Sequence, residues 1–285
     1  MRSNNPVLSK TEWSQPPQTQ QQYPGQYGPA GYDPYSQQAG QEPYGQPYPP
    51  QPVQATQQGV MTIDDVITKS AITLGTVILT AALTFFGFAY GYLPVTLLQP
   101  AMIIGALVAF GVVLLVSFRR QVKPGFVLAY AAIEGVFLGA ISLVFEFSYP
   151  GIVVPAVFGT FVAAAATLAA YKFFRIKVTS KFRQMVVIGT FAYAGVLLVN
   201  LLLSLFGINL GIISVTGSVS WIALLASAVG VGLAVFNLIL DFDYIEQGVA
   251  LRAPASESWR AAFGLTVTLV WLYTEILRIL SYFRR

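Results

Sequence analysis

The sequence predicts an all-α protein, a polytopic bundle of seven transmembrane helices, and three observations predict it. Hydrophobic residues make up 55% of the 285 positions and charged ones only 10%, with a mean hydropathy of +0.64, which is far too apolar for a water-soluble domain. From residue 62 onward long apolar runs alternate with short polar turns, each run close to the ~20 residues a helix needs to cross ~30 Å of hydrocarbon. The runs are continuously apolar rather than alternating with period two, which argues against a β-barrel.

Taken in order, the chain begins with a segment of different character. Residues 1–60 hold 11 of the 17 prolines beside abundant Gln, Gly and Tyr, with almost no Ile, Leu or Phe. Such a segment buries too little apolar surface to offset its chain entropy, so it reads as a disordered, solvated tail with local polyproline character, the alternative being a docking segment for a protein partner with an aromatic groove. No apolar stretch follows Arg2 and Lys10, so it does not read as a signal peptide. The membrane domain is 61–285, with spans at 69–91, 98–117, 125–147, 152–172, 185–206, 216–241 and 261–282. Pro94 and Pro100 bracket the first turn, Lys123-Pro124-Gly125 forms the second and Tyr149-Pro150-Gly151 the third, since proline and glycine interrupt helical hydrogen bonding.

Charge orients the bundle. Arg119, Arg120 and Lys123 follow the second span, and Lys172, Arg175, Lys177, Lys181 and Arg183 follow the fourth, whereas loops 92–97, 148–151 and 207–215 carry no Lys or Arg. Basic loops stay cytoplasmic, so the N-terminus is expected inside and, after seven crossings, the C-terminus outside. Arg284 and Arg285 run against this bias. Either they are tolerated on the outer face, which is the expectation because the other loops agree, or the last segment enters and turns back.

With His 0 and Cys 0, the chain has no imidazole base, thiolate nucleophile, disulfide or ordinary zinc site. No Gly-x-x-x-x-Gly-Lys-Ser/Thr loop occurs, and no lysine in 261–285 could carry a retinal Schiff base. The expectation is a protein that is not an enzyme, has no cofactor and binds no nucleic acid. What remains are ionisable residues at membrane depth, which cost ~2.5–3.5 kcal/mol or more each and therefore mark cavities or partners. Glu134 lies near the middle of the third span, beside Gly135 and Gly139, which permit close helix approach. Asp241 shares a helix face with Asn237 and is expected in a cavity, whereas Asp243 and Glu246 lie where the run leaves the apolar stretch and read as solvated. Glu275 and Arg278 are three residues apart on one face, so Arg278 is the ion-pair candidate for Glu275.

Residues 61–285 resemble the Bax-inhibitor family, in particular its bacterial members with long leaders. The carriers are Met61-Thr62-Ile63-Asp64-Asp65-Val66, Glu134-Gly135-x-x-Leu138-Gly139, Leu238-Ile239-Leu240-Asp241-Phe242-Asp243-Tyr244-Ile245-Glu246, and Val270-Trp271-Leu272-Tyr273-Thr274-Glu275-Ile276-Leu277-Arg278. The resemblance implies six helices around a central seventh, in the bacterial cytoplasmic membrane. It also implies a pH-sensitive calcium leak gated by a proton that two acids share. Asp241 followed by Ile245 matches the first acid and Glu275 after Leu272-Tyr273-Thr274 the second, with glutamate in place of the family's aspartate. These two residues would also be the transient calcium ligands. The connection 247–260 is longer than the family pattern. Were Trp259 and Arg260 to anchor the last helix at the interface, Glu275 would lie ~22 Å from them and Asp241 nearer the inner end of its own helix. The two acids then meet only if this connection dips into the membrane, and Asp243 is the alternate partner for Glu275. Two other functions stay open: a proton-coupled secondary transporter using Glu134 and Asp241, and a non-transporting scaffold whose tail recruits partners.

Overall fold

The computed structural model describes residues 59–117, 119, 122–208 and 220–284. The reading of the tail up to residue 58, Arg120, Arg285 and most of the loop before the sixth span lie outside the described residues. Within them, seven helices are long and apolar enough to cross a membrane. They are α1 (Ile63–Ala89), α2 (Leu98–Ser117), α3 (Pro124–Ser148), α4 (Val153–Phe173), α5 (Ser180–Leu205), α6 (Trp221–Ala250) and α7 (Glu257–Phe283).

Several helices extend beyond their apolar runs, because a helix ends where its backbone is capped rather than where the hydrocarbon ends. Thr62 caps α1, its hydroxyl accepting from the Asp65 amide, and Asp64 and Asp65 occupy the first turn. Thr179 likewise caps α5 through the Phe182 amide, and Ser220 caps α6 through Ile222. The largest departure from the sequence reading is α6, which continues past Asp241 to Ala250. Only residues 251–256 then join it to α7, so the connection read as 247–260 is mostly helix.

Helix α7 lies at the centre. It packs on α1, α3, α4 and α6, and its neighbours bury Leu272 and Leu277 completely. Helix α2 reaches it through a cluster in which Ala109 and Val116 meet Tyr130 and Phe263. Helix α5 packs on α6 and reaches α7 through Tyr193. The outer faces of α1, α2, α4 and α5 expose Ile, Leu and Phe side chains, as expected for surfaces solvated by lipid. Between α1 and α3 the backbones come close. A Cβ on Gly135 would collide with Thr80 and the Val77 carbonyl, and one on Gly139 with the Ala81 carbonyl and Thr84.

Two sets of contacts define the ends of the bundle. At one end the Met61 amide donates to the Ala253 carbonyl (2.7 Å) and the Ala255 amide to the Gly59 carbonyl (2.7 Å). There too, Arg260 donates to the Arg119 carbonyl. At the other end Arg284 donates to the carbonyls of Pro150 (2.7 Å) and Gly151 (3.2 Å). Thus α7 runs unbroken from the α2–α3 connection to the α3–α4 turn, so a segment that enters and turns back is not what forms. Arg284 caps that turn, which gives the residue that disagreed with the charge bias a structural task.

Candidate functional site

The interior acids are placed by α3, α6 and α7. On α6 the Asp241 carboxylate accepts from the Thr268 hydroxyl of α7 (2.7 Å). Gly264, one turn earlier on α7, leaves room for it, since a Cβ there would lie 3.0 Å from Asp241 Oδ1. On α3 Glu134 is buried and interacts with Tyr130 one turn before it. Among the described residues no Lys or Arg forms an ion pair with either acid.

These two acids sit at one depth. Helices α3 and α7 run parallel, with the Tyr130 ring 5.0 Å from that of Phe263 and the Ser142 hydroxyl bonded to that of Tyr273 (2.7 Å). That register puts Glu134 level with Thr266 and Val267, while Asp241 is level with Gly264 and Thr268. They therefore flank α7 on different sides.

Glu275 is elsewhere. It is fully buried and accepts from Arg278 Nη1 with both oxygens (2.9 and 3.1 Å). It also accepts from the Tyr193 hydroxyl (2.8 Å) and the Trp271 indole N–H (3.3 Å). The Tyr193 and Trp271 rings stack at 5.6 Å. Gly230 of α6 makes the space for this cluster, because a Cβ there would lie 2.6 Å from the Tyr193 hydroxyl and 2.7 Å from the Glu275 carboxyl carbon.

The structure therefore does not join Asp241 to Glu275. Glu275 stands seven residues beyond Thr268 on the same helix, roughly 10 Å along the axis at 1.5 Å per residue. The reason is the length of α6: it continues straight to the bundle end, so its Asp241 meets the first half of α7 and its Gly230 the second half. Asp243 does not meet Glu275 either. It is buried, not solvated as its position suggested, and accepts from Arg183 Nη2 of α5 (2.8 Å) and from Gln247 (2.7 Å). Glu246 accepts from the Tyr171 hydroxyl of α4 (2.6 Å). The acids at this end thus tie α4, α5 and α6 together. Trp259 stacks under the Lys69 ammonium at 5.4 Å, and Arg260 pairs with Glu257 at 2.9 Å.

No joint set of oxygens forms from Asp241 and Glu275, and among the described residues no group of three or more acids could hold a metal ion. The calcium ligand pair implied by the resemblance is not assembled in this conformation. Each acid is a separate station at which a proton, a water or a passing cation could be held. The sequence reading passed over Thr268 and Tyr193, and gave Trp271 and Arg183 no contact with the acids. A signal existed for some of them: Arg183, Thr190, Tyr193 and Asn200 recur at intervals of seven, three and seven, one face of a helix otherwise rich in apolar residues.

A family model described as Bax inhibitor 1 like matches residues 5–285, reaching well into the segment before Met61. No curated protein matches the chain.

Proposed function

We propose that this chain, which belongs to the Bax inhibitor 1 like family, is a pH-sensitive cation leak of the membrane, with calcium as the ion and protons as its control. The observation that carries this reading is the level of Glu134 and Asp241, two acids at one depth beside α7 that no Lys or Arg neutralises among the described residues. An unpaired carboxylate at membrane depth costs ~2.5–3.5 kcal/mol or more. It lowers that cost by taking a proton, or by admitting water or a cation. Hard cations such as calcium prefer oxygen ligands, so these carboxylates, once ionised, favour entry of the permeant ion into the bundle. Control by separate acids replaces the single shared proton, because Asp241 and Glu275 do not touch. In this reading the N-terminus lies in the cytoplasm of a bacterial cell and the C-terminus outside, which the basic residues after α2 and α4 support.

The test is calcium flux into proteoliposomes over a range of pH, with the purified full chain. Asp241→Asn and Glu134→Gln should each flatten the pH dependence while the protein still elutes as a folded species in detergent. Absence of cation flux at every pH would remove the reading. Uphill accumulation of a solute that collapses with the proton gradient would favour a proton-coupled transporter instead.

A further inference from the structure

We propose that the hydrophilic route through this protein is a file of water along the seam between α5 and α6, barred midway by the Glu275–Arg278 pair. The inference rests on the cation-leak reading and names its route. Helices α5 and α6 run antiparallel, and polar groups meet at several levels of their seam, between apolar contacts such as Phe182 on Phe236. Arg183 pairs with Asp243 (2.8 Å), and the Asn237 amide donates to the Thr190 hydroxyl (2.7 Å). Tyr193 faces Gly230 and donates to Glu275.

Ten residues further along α5 from Thr190, and ten back along α6 from Asn237, stand Asn200 and Ser227. Asn200 is 6% exposed and Ser227 not at all, yet Asn200 Oδ1 and Ser227 Oγ have no hydrogen-bond partner among the described residues. A buried polar atom left unpaired costs about 1–3 kcal/mol, and a buried water with two to four polar partners removes that cost. Two such atoms at one level of the two helices point to water there.

The seam is long enough to matter. Arg183 to Asn200 covers roughly 25 Å of helix axis, against ~30 Å of hydrocarbon. Its lower end opens into a hollow of about 420 Å³ lined by Ser180, Arg183, Gln184 and Gln247 among others. Elsewhere α5 presents Ile188, Phe191 and Val199 outward, and from Thr190 to Asn200 its polar side chains share this face. A second hollow, about 450 Å³ between α1, α3, α4 and α7, is lined mostly by aliphatic and phenyl side chains and offers an ion few ligands. Between the Thr190 and Asn200 levels lies Glu275, whose oxygens Arg278 already fills. A cation passes only by displacing that guanidinium.

The chain has no cysteine, so single cysteines report directly on water. Thr190→Cys, Asn200→Cys and Ser227→Cys in the full chain, set beside Ile188→Cys, Phe191→Cys and Val199→Cys, would be treated in proteoliposomes with a cationic methanethiosulfonate. This reagent attacks the thiolate, which needs water to form. The seam positions should react at least roughly tenfold faster than the lipid-facing ones. The Glu275→Gln, Arg278→Met double change should speed both the Asn200→Cys reaction and cation flux. Ser227→Cys exchanges one atom and keeps the test intact should a larger change prevent folding. Seam cysteines no faster than lipid-facing ones would overturn the route even in a protein that conducts. Fast labelling with no cation flux at any pH would keep the water-filled seam and remove the leak.

Discussion

Glu275 shows what a carboxylate requires inside hydrocarbon. Three side chains from two helices donate to it, and one of them, Arg278, supplies the opposing charge. Removing one partner of a buried ion pair leaves the other uncompensated, at a cost of about 3–5 kcal/mol, whereas replacing both with neutral groups is often close to neutral. Glu275→Gln should therefore lower thermal stability in detergent markedly, and adding Arg278→Met should recover most of the loss. A small effect of Glu275→Gln alone would show that the pair is hydrated. Asp241 differs, with one hydroxyl partner among the described residues, and its effect on stability should add to that of Glu275 because the two share no partner there and are held at points about 10 Å apart along α7. Both acids were legible as isolated charges in apolar runs. Arg278 was legible as the partner of Glu275, three residues away, but Thr268 and Tyr193 were not, since they are unremarkable in such runs until another helix is placed against them.

At the scale of the element, the close contact of α1 with α3 depends on two glycines. Substituents on Gly135 and Gly139 would enter the Val77–Thr84 stretch of α1, and overpacking of this kind costs about 1–3 kcal/mol or more. Gly135→Val and Gly139→Val should each lower the detergent melting temperature. Gly75→Ala, on α1 with nothing within 4 Å of its added methyl, should leave it unchanged or raise it, because alanine is the better helix former. Equal behaviour of the three would mean that α1 and α3 do not pack through these glycines. The glycines could be read from the sequence as a close-approach motif, but α1 as their partner could not, since spacing on one helix does not name the helix it meets. The ends of α5 and α6 were misjudged for a related reason: hydropathy marks the part of a helix within lipid, and caps such as Thr179 set where it begins.

For the whole molecule, seven crossings put the α1–α2 connection and the end of α7 on one side and the α4–α5 connection on the other. Tyr92→Cys and Phe283→Cys, both at exposed positions, should react with an impermeant thiol reagent from one face of the membrane. Lys177→Cys should react only from the other. Reaction of Phe283→Cys and Lys177→Cys from the same face would overturn the arrangement in which Arg284 reaches the Pro150–Gly151 turn. The sequence by itself determined the helical class, the seven spans and that Glu134, Asp241 and Glu275 lie at depth. These follow from local quantities, apolar length against bilayer thickness and the cost of burying charge. Only the tertiary structure decided which acids are neighbours. Pairing of side chains on α6 and α7 depends on where two long helices cross and on how far α6 continues beyond the hydrocarbon. A shift of a few residues in that register moves a carboxylate from a shared site to one several ångströms away.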